Sequence, residues 1–176
     1  MTIIGVTGHR DLKEECLEDY LQQISKLLFD LKQQYTDMML YSPLSDGADR
    51  LVVQEGIKLN IPFVAILPMQ KEKYIMDFDE ISLKEFNQLL YEAYKITTIP
   101  LHKGSTNDSI SLYSLQRDYQ YEDCGRYVAD KCDSLIALWD GKYIELRGGT
   151  SEVVKYYLRT KVAKLFHILV SRKTKL

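Results

Sequence analysis

Short apolar runs alternate with longer amphipathic segments along most of the chain. The runs with the length and composition of buried strands cover 2–6, 38–44, 62–67, 95–101, 133–141 and 165–170. Apolar residues at three- and four-residue steps predict helices within 17–35, 45–60, 79–94, 113–131 and 150–162. Strands that alternate with helices pair in parallel through right-handed crossovers. The sequence therefore predicts an α/β fold, a mostly parallel twisted sheet with helices on both faces.

The length and composition of the chain indicate one globular domain. Its 176 residues are enough to bury a large core, and no repeat or linker divides them, so residues 1–176 are predicted to form a single domain. The 27% of charged residues is typical of a soluble protein. The sequence has no signal-peptide pattern and no apolar run of membrane length, which predicts a cytoplasmic protein without a membrane partner.

The cysteines and histidines give no indication of a metal site. The three cysteines form no C-x-x-C pair, and the three histidines are far apart in the sequence. We therefore predict no disulfide framework, no metal and no cofactor.

The charge of the chain argues against a strongly basic surface. The formal net charge is −2, so duplex nucleic acid is not expected as a partner. Residues 166–176 include the basic residues Arg172, Lys173 and Lys175, and this segment is predicted to be a solvated tail.

Three loops that follow predicted strands carry glycine. In an open α/β sheet, ligands bind beyond the carboxyl ends of the strands, where these loops lie. The first loop, "GVTGHRD", has Gly8 for close backbone approach, with His9 and Arg10 as donors. It equally suits a tight turn with a surface arginine.

The second loop is "SPLSDGADR", over 42–50. Ser45, Asp46 and Gly47 stand before a helix whose free N–H groups attract anions. The alternative is structural: Ser45 or Asp46 caps the helix, and Asp49 complements its dipole.

The third loop precedes the helix over 150–162. Gly148 and Gly149 leave room for a phosphate, and Thr150 and Ser151 add hydroxyl donors. A flexible turn with Thr150 or Ser151 as the N-cap is the alternative. Asp140, which ends the preceding strand, is a further candidate at the same edge. Together the loops predict a crevice that binds a nucleotide or a phosphorylated nucleotide derivative.

Four segments of the chain are similar to a known group of proteins. "GVTGHRD", "SPLSDGADRLVVQEG", "CDSLIALWDG" and "RGGTSEVV" resemble, in order and spacing, the SLOG superfamily over residues 3–160. This superfamily includes the Lonely-guy phosphoribohydrolases and the DNA-processing protein A group. The resemblance implies a Rossmann-like three-layer fold that binds nucleotides or their derivatives, in several members as a sensor.

The catalytic residues of the phosphoribohydrolases do not carry over directly. Those enzymes have a P-G-G-x-G-T-x-x-E motif and an upstream arginine. In this chain Glu152 lies one residue before the glutamate position, a rotation of about 100° on a helix. Arg126 is two positions from the expected arginine. The departures favour binding over hydrolysis. The alternative is that Glu152 and Arg126 form a re-registered catalytic pair that cleaves the N-glycosidic bond of a nucleoside 5′-monophosphate.

A third alternative is a protein-interaction module without a ligand. The helices carry many tyrosines, among them Tyr113, Tyr119, Tyr121, Tyr127, Tyr156 and Tyr157. Exposed tyrosines suit an interface, and the phosphoribohydrolases commonly form dimers, so a homodimer is expected. Packing of these tyrosines against the sheet is the other interpretation.

Overall fold

The computed structural model describes residues 1–173 of the chain. Six strands form one sheet: β1 (Thr2–Gly8), β2 (Met38–Ser42), β3 (Phe63–Leu67), β4 (Lys95–Thr98), β5 (Ser134–Trp139) and β6 (Lys164–Leu169). Six α-helices connect or follow them: α1 (Leu17–Gln34), α2 (Ala48–Lys58), α3 (Lys71–Tyr74), α4 (Glu80–Glu92), α5 (Leu115–Lys131) and α6 (Thr150–Thr160). Short 3₁₀ turns cover Glu14–Cys16 and Ile75–Asp77.

Every strand of the sheet pairs in parallel with its neighbours. The strand order is β4-β3-β2-β1-β5-β6. The chain moves outward from β1 to β4, and α5 then carries it back so that β5 pairs with the free side of β1. Strand order therefore reverses between β1 and β5, which is where ligands bind in sheets of this type.

The alternation of side chains along the strands creates two cores. Ile4, Val6 and Leu40 face a core that includes Ile24 of α1 and Val52 of α2. Helices α5 and α6 pack on the opposite face of the sheet. The residues buried there include Leu135, Val64, Cys124, Val128 and Tyr157. Since helices cover both faces, the predicted α/β class is confirmed.

Two predictions about local structure are wrong. Neither Ser45 nor Asp46 caps α2, because Gly47 is the N-cap residue and no side chain caps this helix. The predicted solvated tail is largely structured. Its first residues belong to β6, and the guanidinium of Arg172 binds the Asp11 carboxylate at 2.9 and 3.0 Å. Lys175 lies outside the described residues.

No helix within residues 1–173 combines the length and the apolar character that crossing a membrane requires.

We expect Gly47→Ala to destabilise the fold more than Gly141→Ala. Both glycines have positive φ, 73° and 77°, so both substitutions strain the backbone. A Cβ at Gly47 would also press on main chain, with His9 O at 2.7 Å and Arg10 C at 2.8 Å. At Gly141 the nearest atom is Leu169 Cδ1, at 3.7 Å. Urea unfolding should show an extra loss of about 1–3 kcal/mol for Gly47→Ala. Equal losses for the two variants would contradict this close contact.

Candidate functional site

The loop after β1 lies directly against the start of α2. The N–H of Ala48 donates to His9 O at 3.1 Å, and the N–H of His9 donates to Leu138 O at 3.0 Å. A Cβ on Gly8 would overlap the Ala48 side chain and lie 2.9 Å from Leu138 O. The glycines at 8 and 47 therefore bring the ends of β1, β5 and α2 into contact at the switch point.

The loop before α6 is held against α5. Gly148 has φ 70°, and a Cβ there would lie 2.5 Å from Tyr121 Cβ. The buried Ser151 hydroxyl donates to Ile144 O at 2.7 Å and accepts from the Ile144 N–H at 3.3 Å. Ser151 therefore anchors the loop with its side chain, while its backbone N–H belongs to the first turn of α6.

One cavity of about 530 Å³ opens between these loops. Eight of the predicted ligand-binding residues line it: Gly8, His9, Arg10, Ser45, Gly148, Gly149, Thr150 and Ser151. The other three, Asp46, Gly47 and Asp140, do not line it, and Asp140 lines a neighbouring cavity of about 720 Å³. Asp46 pairs with Arg50 at 2.9 Å, and Gly47 packs on the backbone of the β1 loop.

The third of these residues, Asp140, positions His9. His9 Nε2 lies 3.0 Å from Asp140 Oδ1. Burial raises the pKa of Asp140, but hydrogen bonds from His9 and from the Lys142 N–H outweigh it and hold that pKa below its ordinary value. Asp140 is therefore a carboxylate that orients the imidazole at the cavity wall.

The two residues predicted to be catalytic lie outside this cavity. Glu152 and Arg126 line a second, smaller cavity of about 240 Å³, which shares Gly148 with the first. Arg126 Nη2 binds Glu122 at 2.5 Å, and Glu152 lies 3.6 Å from Lys155 Nζ. Each of the two therefore has a different ionic partner, and their catalytic roles stay a prediction.

A polar cluster at one side of the main cavity was not foreseen from the sequence. Asp77 accepts hydrogen bonds from the buried Arg117 at 2.7 Å and from the Tyr121 hydroxyl, and Arg10 Nη2 lies 3.6 Å from it. Burial and the negative charge of Asp77 raise the pKa of Tyr121 above its ordinary value. Asp77 lies in an irregular stretch without a motif, but the i, i+4 spacing of Arg117 and Tyr121 on α5 was a usable signal.

Asp49 is a second residue whose position was not foreseen. It is only 3% exposed, and its Oδ2 accepts from the Ser45 hydroxyl at 2.7 Å and the Ser45 N–H at 3.3 Å. Its Oδ1 has no hydrogen-bond partner among residues 1–173. Burial raises the pKa of Asp49 to about 6, although Ser45, Arg10 and Arg50 act in the opposite direction. The cavity wall thus includes a carboxylate with one oxygen left unsatisfied.

Five cationic side chains line the cavity: Arg10, Arg117, Lys142, Arg147 and Arg172. Three of them have close carboxylate partners, in the pairs Arg117–Asp77, Arg147–Glu122 and Arg172–Asp11. Arg10 differs because its ion pair is long, with Nη2 3.6 Å from Asp77. Its guanidinium also lies 5.5 Å from the centre of the Tyr121 ring. Arg10 is therefore the arginine best able to reorient towards a ligand.

Comparison with known proteins gives the fold but no family. No protein-family model matches the chain, and no curated protein matches it. Among solved structures it is similar to DNA processing protein A from Streptococcus pneumoniae, with a TM-score of 0.62 and 12% identity over 97% of this chain and 51% of that one. It is also similar to DNA processing protein A from Helicobacter pylori, with a TM-score of 0.54 and 13% identity over 94% of this chain and 64% of that one.

The likeness supports a Rossmann-like fold. This chain spans about half of the first protein and under two thirds of the second. A likeness at 12–13% identity shows the fold alone, and the superfamily named from the sequence stays a prediction.

The prediction about partners, which set nucleic acid aside because of the net charge, is wrong. The Helicobacter pylori structure is described as showing a single-stranded DNA binding mode, so a protein of similar fold binds nucleic acid. The formal net charge of −2 does not exclude such a partner, because it averages the whole surface while the cavity gathers cations locally. Among the tyrosines offered for a homodimer, Tyr157 is buried and Tyr156 binds Asp130, whereas Tyr113 is exposed. Their number alone therefore does not indicate an interface.

The buried position of Asp49 gives a testable pH dependence. Because its pKa in the folded chain is about 6 and its ordinary value is 3.8, the folded chain retains a proton that the unfolded chain has lost. The favourable contribution of Asp49 to the free energy of unfolding is therefore present in full below about pH 4 and is lost as the pH rises through 6. Asp49→Asn removes this titration, and should gain stability relative to wild type between pH 4 and pH 7.

The gain should be about 1.4 kcal/mol for each unit by which the pKa is raised. Urea unfolding of both proteins at the two pH values measures it. Asp19→Asn, at an exposed position on α1, is the control and should show no comparable change. A difference between Asp49→Asn and wild type that is the same at both pH values would contradict the assignment.

Proposed function

We propose that this chain binds a nucleotide through its phosphate group in the crevice between β1, β5 and α6. The observation that carries the proposal is the meeting of Arg10, the glycines before α6 and the first turn of α6 at one cavity. The cavity lies at the switch point of the sheet, and its volume of about 530 Å³ is within the range of small-ligand sites.

The phosphate subsite is assigned to the start of α6. This helix has 11 residues, its N-cap Gly149 offers no side chain to its free N–H groups, and those of Thr150 and Ser151 belong to its first turn. Such a helix end attracts anions through its N–H groups and its dipole. Arg10 supplies the counter-charge from the opposite loop.

Asp49 supports a ligand that carries hydroxyl groups as well as phosphate. Asp49 lines the cavity, and its Oδ1 is buried with no hydrogen-bond partner among residues 1–173. A buried acceptor without a donor is costly, and a ribose hydroxyl that reaches this oxygen when the Ser45 loop adjusts to the ligand would supply that donor. A nucleotide therefore matches the wall better than inorganic phosphate does.

The nucleotide is free or is one unit of a single strand. Both present the same phosphate, sugar and base to the crevice, and the single-stranded DNA binding described for the Helicobacter pylori protein favours including the strand. We propose binding without turnover, as a sensor of a signalling nucleotide requires, because Glu152 and Arg126 lie at the other cavity. Release of free base from AMP that is lost in Glu152→Ala would favour the hydrolase alternative.

Arg10→Ala is expected to weaken AMP binding by about 10- to 100-fold, as measured by calorimetry. Loss of a charge-assisted hydrogen bond has this magnitude. Arg126→Ala is the matched control, since it removes an arginine from the neighbouring cavity and should leave the affinity unchanged. A larger loss in Arg126→Ala than in Arg10→Ala would place the phosphate in the smaller cavity and contradict the proposal.

AMP and a short single strand are expected to compete for the same site. Fluorescence anisotropy of a labelled ten-nucleotide oligo-dT should fall as AMP is added, and Arg10→Ala should weaken both ligands. An oligonucleotide that binds but is not displaced by AMP would locate the strand elsewhere on the chain. If neither ligand binds at millimolar concentration, the proposed function is wrong.

A further inference from the structure

An exposed aromatic side chain stands at the mouth of the main cavity. Tyr113 lines the cavity and is 97% exposed. Around the same mouth lie three more exposed or half-exposed apolar side chains, those of Leu112, Ile144 and Leu146. The rim of the cavity thus carries apolar side chains beside the exposed cationic side chains of Arg10, Lys142 and Arg147.

The backbone holds Tyr113 in a conformation that favours glycine. Its φ is 62°, in the left-handed region. Tyr113 is the third residue of a turn closed by the Ser114 N–H, which donates to Ser111 O at 3.2 Å, and a positive φ at this position normally selects glycine or asparagine. Strained backbone of this kind is typical of functional sites. A tyrosine that is strained and also exposed gains no packing in return, which points to a ligand as its contact.

The turn itself is firmly built. The Ser114 hydroxyl donates to Ser111 O at 2.8 Å and accepts the Arg117 N–H at 3.2 Å, which caps α5. Arg117 is in turn bound to Asp77 inside the cavity. The position of the Tyr113 backbone is therefore tied to the polar cluster of the site.

A second aromatic group lies on α5, beside Arg147 of the loop before α6. The Arg147 guanidinium lies 4.3 Å from the centre of the Tyr119 ring, which stacks on His102 at 4.5 Å with an interplanar angle of 9°. Arg147 lines the cavity as well. Aromatic rings and arginine planes at the edge of a phosphate site are the groups on which nucleobases stack.

We infer that Tyr113 is the stacking platform for the nucleobase of the ligand. The inference rests on the proposed function, with the phosphate at the start of α6 and the base at the mouth. Stacking uses the face of the base, which every base has, so recognition at this subsite tolerates different bases. Apolar contact with a protein partner is the competing occupant, and the experiment separates the two.

Three ligands and three variants test the inference by calorimetry. Tyr113→Ala is expected to weaken AMP and adenosine by about 5- to 150-fold, the range for loss of one stacked base, and to leave ribose 5-phosphate unchanged. Tyr113→Phe, which keeps the ring, should bind all three as wild type does. Tyr91→Ala is the matched control, because Tyr91 is 92% exposed on α4 and is not at this cavity.

The outcomes distinguish this inference from the proposed function. If Tyr113→Ala binds AMP and adenosine as wild type does, the stacking role is wrong and the mouth is left to a protein partner. If all three ligands weaken equally, the residue shapes the turn and does not stack. If Arg10→Ala leaves AMP unchanged while Tyr113→Ala weakens AMP and adenosine, stacking stands and the phosphate assignment fails. Thermal unfolding should show that Tyr113→Ala remains folded, because the side chain contributes almost no buried area.

Discussion

The direct contact between main chains at the switch point is the constraint on which the site depends. The β1 loop fits closely against its neighbours, because Gly8 lies against the Ala48 side chain and Leu138 O, and Gly47 lies against the carbonyl of Arg10. The chain therefore leaves β1 in one direction only, and that direction carries His9 and Arg10 over the edge of the sheet. Any side chain larger than hydrogen at these two glycines would push the loop away from β5 or α2.

In the cavity beside this loop, the buried charged side chains form ion pairs. Asp77 gathers Arg117, Tyr121 and Arg10 although it lies in an irregular segment between α3 and α4. A buried arginine without a partner would be very costly, so the pair with Arg117 is a condition of packing α5 against the site. Arg10 is the outer member of this cluster. It is the one cation in the cluster that keeps a large exposed fraction.

The sequence predicted what depends on periodicity and missed what depends on contacts distant in the chain. Strands and helices were identified because apolar spacing reports local structure directly. The N-cap of α2 was misassigned because the Ala48 N–H finds its acceptor in His9, some forty residues earlier. Arg172 looked like part of a tail because its partner, Asp11, lies at the other end of the chain. Asp77 belongs to no sequence motif, because its contacts depend only on where the segment before α4 lies in the folded chain.

The residues of the site divide in the same way between local pattern and distant contacts. The glycine loops were recognisable because parallel strands must place them at one edge, and eight of the eleven candidates do line one cavity. The positions of Glu152 and Arg126 depended on helix rotation and register, and a change of one residue turns a side chain by about 100°. A sequence motif without its neighbours does not fix which of two adjacent cavities such a residue faces.

The mixture of charged and apolar groups around the cavity limits what can occupy it. The cavity offers helix N–H groups, an arginine with a long ion pair and the Asp49 carboxylate, together with the exposed side chains of Tyr113, Ile144 and Leu146. A purely anionic ligand would leave these apolar side chains exposed to water, and a purely apolar one would desolvate the charged groups without compensating them. A molecule with a negative end, hydroxyl groups in its middle and a flat aromatic end satisfies both kinds of group at once, and that sequence of groups is the chemical order of a nucleotide.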